Sequence, residues 1–181
     1  MPYDHFEHRH RFAAWAAARA AQRGWTSTSN LVDSLDQAGI PEFLRNPNAD
    51  CASQQAFEDL HKKWCSFIVS FLKDKRVKGT SYGHAAKLVA VYLKAMVVNV
   101  PDGTSRLAHF AHPPIDKILL QNLSRCSELK SEHQPAWRKV AWTRLGSDAY
   151  YELITQLRGA LSENDPWWKL EKHWTVTNEP A

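Results

Sequence analysis

Gly79-Thr80-Ser81-Tyr82-Gly83-His84, running without a break into Ala85-Ala86-Lys87-Leu88-Val89-Ala90-Val91-Tyr92-Leu93-Lys94, is the stretch that decides the fold. Gly79 and Gly83 allow backbone angles and close approaches that other residues resist. Ser81 or Thr80 can cap a helix that begins near Tyr82. Ala86, Val89, Ala90 and Leu93 then recur at the spacing of a helix face turned toward a core. The first amides of such a helix lack internal partners and favour an anion such as a phosphate. After a polar connection with Pro101, Asp102 and Gly103, the chain reaches His112-Pro113-Pro114-Ile115-Asp116-Lys117-Ile118-Leu119-Leu120. The prolines stop any helix before them, and Pro114 suits the first turn of the next one. Asp116 is then expected in the first turn of a helix carrying Ile118, Leu119, Leu120 and Leu123. It reads there either as a complement to the helix dipole or as a buried catalytic acid.

Outward from this stretch the pattern is helical throughout. Toward the N-terminus, His5 to Arg23 is one long helix rich in alanine, with Gly24 as its stop. Its small residues permit close approach of a neighbouring helix, and Phe12, Trp15 and Arg19 share a face. The imidazoles and guanidinia between His5 and Arg11 suit a metal, a phosphate or a solvated basic turn. Ser29 or Asn30 is placed to cap a helix from Leu31 to Ala38, ended by Gly39-Ile40-Pro41, with a short helical turn through Phe43 and Leu44. Asn46-Pro47-Asn48 is a loop. A third helix runs from about Ser53 to Lys73 on a stripe of Phe57, Leu60, Trp64, Phe67, Ile68 and Phe71. On it, His61 and Cys65 are neighbours, read as a core cysteine beside a satisfied histidine. The charged run from Lys73 to Lys78 is a solvated helix end that could also neutralise a DNA backbone.

Downstream, Asn99 to Ala111 reads as a loop over a pocket. Trp137, Val140 and Trp142 lie on a helix or turn. Ser147 and Asp148 start a helix through Tyr151, Leu153, Ile154, Leu157 and Leu161, and Asn164-Asp165-Pro166 caps a last helix from Trp167 to Trp174. Val97 to Val100 is the one β-branched run, too short for a strand signal. The fold class expected is all-α, one domain over residues 1–181 or two lobes with a cleft near residues 79–123.

Composition agrees with a globular chain: 181 residues, 44% hydrophobic and 23% charged. No apolar run approaches the ~20 residues of a membrane span, and the first residues lack the apolar region of a signal peptide. Cys51, Cys65 and Cys126 form no Cys-x-x-Cys pair, so neither a disulfide framework nor a zinc knuckle is indicated. A reducing, cytoplasmic setting follows as the simplest expectation. The net charge of +4 permits an acidic partner such as nucleic acid. The eight tryptophans suit base stacking as well as core packing.

Gly83-His84-Ala85-Ala86-Lys87-Leu88-Val89 followed by Pro114-Ile115-Asp116-Lys117-Ile118-Leu119 resembles the core of the helix-hairpin-helix DNA glycosylase superfamily. In that family a glycine-rich hairpin leads a helix, and a short Pro/Val-Asp segment after it delivers the catalytic aspartate. The likeness covers roughly a quarter of the chain and rests on short motifs. Of the usual Leu-Pro-Gly-Val-Gly hairpin only the second glycine is present, as Gly83, and the connection to Asp116 is longer, with residues 97–111 as an apparent insertion. Ala85 stands where bifunctional members carry a nucleophilic lysine.

The resemblance implies a helix-hairpin-helix-like element and a monofunctional glycosylase without cofactor or metal, acting on DNA as a monomer. Asp116 would be its catalytic carboxylate. Gly83 and His84 would hold a backbone phosphate with Lys87 in electrostatic support, and His8, Trp15 and His112 would wall the pocket that receives a flipped base. The competing expectation is a helical nucleic-acid-binding module that performs no reaction, or a helical protein whose partner is another protein.

Overall fold

The computed structural model describes residues 3–22, 24–46, 50–100, 105–129 and 131–175. Readings that fall on Arg23, on Pro47 and Asn48, on Pro101 to Gly103 and on the final residues lie outside the described part.

The N-terminal alanines form α1 (His5–Gln22). Gly24 follows it in the left-handed region at φ +76°. α2 (Thr28–Gln37) begins earlier than the Ser29 or Asn30 cap would have it, because the Ser27 hydroxyl accepts the Asn30 amide at 3.1 Å. α3 (Ile40–Arg45) precedes α4 (Gln54–Asp74), which is capped by Ser53. α5 (Tyr82–Leu93) starts at a Ser81 cap and passes into a π-helical turn, Lys94–Val98, that takes in part of the β-branched run. The expected loop from Asn99 to Ala111 contains a short helix, α6 (Arg106–Phe110). α7 (Lys117–Leu123) begins one residue after Asp116, so Asp116 is its N-cap and not a first-turn residue. α8 (Gln134–Trp137), a 3-10 turn (Trp142–Arg144) and α9 (Ser147–Arg158) follow. Leu161 falls beyond α9. The expected last helix is a 3-10 segment, Trp167–His173. No strand occurs among the described residues, and the fold is all-α.

α5 is the axis of the molecule. Every residue from Tyr82 to Ala90 is buried, as expected of a helix that is apolar all round. α1 and α4 pack along it, α2 packs on both of those, and α9 with the Trp142–Arg144 turn closes another side. α1 meets α5 through Ala13, Ala14, Ala17, Ala18 and Ala21, all buried. Its larger residues Phe12 and Trp15 face outward, 62% and 54% exposed. On α4 the buried stripe is Phe57, His61, Trp64, Cys65, Ile68 and Leu72. Phe67 lies outside it, because the helix turns His61 and Cys65 inward instead. Among the described residues, no helix is long and apolar enough to cross a membrane.

Gly83 explains how α5 can be packed so closely. A Cβ built on it would lie 1.9 Å from the Trp142 carbonyl oxygen, and its amide donates to the Leu145 carbonyl at 3.1 Å. Only a residue without a side chain admits the 3-10 turn at this distance. The turn brings the Trp142 ring over α5 one helical turn further on, where the Lys87 ammonium sits 4.8 Å from the ring centroid.

Candidate functional site

Lys87 and Asp116 meet inside the protein. The Lys87 Nζ donates to Asp116 Oδ2 at 3.0 Å, and the two side chains are only 5% and 4% exposed. Asp116 Oδ1 accepts the Leu119 amide at 3.0 Å, the capping bond of α7. Oδ2 also accepts the Trp174 indole N–H at 3.1 Å. Burial by itself would raise this carboxyl. The Leu119 amide, the Lys87 ammonium and the Trp174 indole outweigh it and hold Asp116 below the usual carboxylate range. The group is therefore an ionised carboxylate, fixed from three directions.

Asp116 and Lys87 line a cavity of about 260 Å³ together with Val91, Lys94, Asn99, Pro114, Glu171 and Trp174. Lys94 pairs with Glu171 across it. Burial raises the Glu171 carboxyl against the opposing Lys94 ammonium, and the Asp116 charge adds to the rise. Two carboxylates of one cavity are thus driven in opposite directions, Asp116 down and Glu171 up. Lys94, Glu171 and Trp174 carry no signal in the sequence that ties them to this site. Glu171 and Trp174 stand more than fifty positions from Asp116, and no local pattern links them to it.

Comparison with known protein families, with curated proteins and with solved structures found no match.

The residues expected to grip a phosphate are not gathered at one exposed point. Gly83 spends its amide on Leu145, as above. His84 is buried, its ring stacked on Trp25 at 4.4 Å and its amide donating to the Ser81 hydroxyl at 3.2 Å. Lys87 is committed to Asp116. A concavity does lie in front of α5, but other residues line it: Lys73, Thr80, Ser81 and Arg144, with Gly146 and Ser147 at the start of α9. Two helix N-termini and two basic side chains there favour an anion. Ser81 and Lys87 are separated by about 9 Å of helix rise along α5.

The three residues expected to wall a base pocket separate as well. His112 is internal at 2% exposure, with Nδ1 3.2 Å from the Tyr150 hydroxyl and its ring packed on His61, Phe57 and Trp167. Burial and the neighbouring His61 lower its proton affinity. It belongs to a buried polar cluster in which His61 Nδ1 meets the Tyr151 hydroxyl at 2.8 Å and the Cys65 thiol lies 3.5 Å from His61 Nε2. That placement bears out the reading of Cys65 and His61 as core. His8 and Trp15, by contrast, lie on the exposed side of α1. Tyr3, His8, Arg9 and Phe12 line a concavity that shares Ala95 and Asn99 with the Asp116 cavity. A further hollow extends it past Arg11 to Trp15. The exposed aromatics Tyr3, Phe12 and Trp15 edge these hollows on α1.

Proposed function

We propose that the protein is a monofunctional DNA N-glycosylase that hydrolyses the bond between a modified base and its sugar, with Asp116 as the catalytic carboxylate. The observation that carries this reading is the buried, ionised Asp116 at the wall of a cavity that shares Ala95 and Asn99 with an aromatic, basic hollow on α1. Breaking an N-glycosidic bond builds positive charge on the sugar, and a fixed carboxylate stabilises that state without reorganising. Glu171, the second carboxyl of the cavity, would pass a proton to the departing base. Trp174 offers an aromatic face to a base that has left the stack. Lys73 and Arg144 in front of α5 would neutralise the backbone, in place of the Gly83 amide. Tyr3, Phe12 and Trp15 would stack on unpaired bases along α1. The proposal sets the activity in the cytoplasm, with the chain acting as a monomer and without a cofactor.

The test is excision from a panel of modified-base duplexes by the parent protein and by Asp116→Asn. Asparagine is as good an N-cap as aspartate, but the change leaves the buried Lys87 without its counter-charge, so circular dichroism has to show a folded variant before its activity is compared. Excision should fall at least ~100-fold, the scale seen when a preorganised transition-state group is lost. Borohydride should trap no covalent complex, because Ala85 stands where bifunctional members carry the nucleophilic lysine and the Lys87 amine is engaged with Asp116. An adduct that vanishes in Lys87→Gln would overturn the monofunctional assignment. Salt-dependent DNA binding with no excision of any base would select the non-catalytic binding module instead.

A further inference from the structure

We propose that Cys126, Glu128 and His173 form a binding site for a divalent transition-metal ion of the zinc class, which fastens the C-terminal segment over the Asp116 cavity. One donor atom from each residue lies within 4.8 Å of the other two. The Cys126 sulfur and His173 Nε2 are 3.9 Å apart. Tetrahedral zinc with ordinary Zn–S and Zn–N bonds places such atoms about 3.6 Å apart, so this pair needs to close by only a few tenths of an ångström. Glu128 is exposed and can swing in to complete the set. Its carboxylate already holds a cation, the Lys172 ammonium at 2.8 Å, and Lys172 is half exposed and able to leave. Thiolate, imidazole and carboxylate together suit zinc better than a hard oxygen-seeking ion. Three protein ligands leave a fourth position for water.

The sequence hides the site, since His173 is distant from the other two and no Cys-x-x-Cys spacing announces it. Its position gives it a consequence. The His173 carbonyl accepts the Asn122 side-chain amide at 2.8 Å, and the next residue, Trp174, donates to Asp116. An ion that joins the loop after α7 to His173 would hold that indole against the carboxylate. The inference does not depend on the glycosidic reaction, only on this geometry.

The test uses the full chain, stripped with a chelator, then titrated with zinc chloride by calorimetry and with cobalt chloride by absorbance. One equivalent should bind, with a thiolate-to-cobalt charge-transfer band, and hydrogen exchange should slow across residues 167–175. Cys126→Ser, at a partly exposed position, should abolish the band and weaken zinc by more than the ~10-fold that losing even an outer-shell partner costs. Lys172→Ala should tighten binding by freeing Glu128. His173→Ala should lose the site too, and if that buried change unfolds the chain, Cys126→Ser alone decides. No saturable binding, or a cobalt band unchanged in Cys126→Ser, would overturn the proposal.

Discussion

Replacing Gly83 by alanine tests how the site is assembled. The added Cβ would fall 1.9 Å from the Trp142 oxygen, 3.1 Å from its carbonyl carbon and 3.4 Å from the Leu145 Cβ. The obstacle is backbone, so no rotamer change relieves it. To restore an ordinary van der Waals contact of at least 3.4 Å, the 3-10 turn has to retreat by about 1.5 Å. That movement breaks the 3.1 Å bond from the Gly83 amide to Leu145 and leaves a buried donor unpaired. The unpaired donor costs about 1–3 kcal/mol, and overpacking costs about 1–3 kcal/mol. Alanine returns about 1 kcal/mol through its better helix propensity. The net loss is about 3 kcal/mol, which for a chain of this size lowers Tm by roughly 6–12 °C. Urea and thermal unfolding followed by circular dichroism measure it. Gly146→Ala is the control, since Gly146 has φ −79° and nothing within 4 Å of the added atom. That variant should stay within about 0.5 kcal/mol of the parent. If Gly83→Ala is as stable as Gly146→Ala, the close approach of the turn to α5 is not what the glycine serves. Its role would then have to be sought in binding.

Lys87→Met should destabilise by about 3–5 kcal/mol, because it strands the Asp116 charge in the interior; adding Asp116→Asn should recover part of that loss, and strictly additive effects in a double-mutant cycle would refute the coupling. Acid should weaken the fold through His61 before the depressed Asp116 titrates. Burial pushes His61 down to about 3, with the Lys62 charge adding to the effect, so the unfolded chain binds its proton first as pH falls below 6.5, the group's ordinary value. His61 alone should then cost about 2 kcal/mol at pH 5, whereas the stabilisation from the depressed Asp116 persists until pH falls through its lowered value. A flat unfolding midpoint between pH 7 and pH 5 would contradict the burial of a neutral His61. Charge reversal at both Lys73 and Arg144 should weaken DNA binding for all sequences alike and flatten its salt dependence by about 0.9 per phosphate lost. Trp15→Ala, at an exposed position, should leave stability unchanged while weakening single-stranded DNA by about 1–3 kcal/mol per stacked base.

Most helices and their ends were legible in the sequence. Periodicity and capping are local properties, and Ser53, Ser81 and Gly24 mark their boundaries through bonds or angles spanning only a few residues. The sequence also marked one face of α5, Ala86, Val89, Ala90 and Leu93, as turned toward the core; that the helix is buried on every side from Tyr82 to Ala90 came from the packing around it. The sequence placed Asp116 at the head of a helix, one position from its true place as the cap. Tertiary structure decided which face of each helix is buried and what each polar side chain meets. α1 turns its alanines inward because they allow α5 to come close, which leaves Phe12 and Trp15 on the surface. Gly83 looked like a phosphate turn because a glycine before a helix is equally suited to an anion or to another piece of backbone. Only the position of Trp142, far along the chain, chose between them. The partners of Asp116 were hidden for the same reason. Lys87, Glu171 and Trp174 come from remote segments, and their effect on a carboxylate depends on distance and burial, which a linear sequence does not contain.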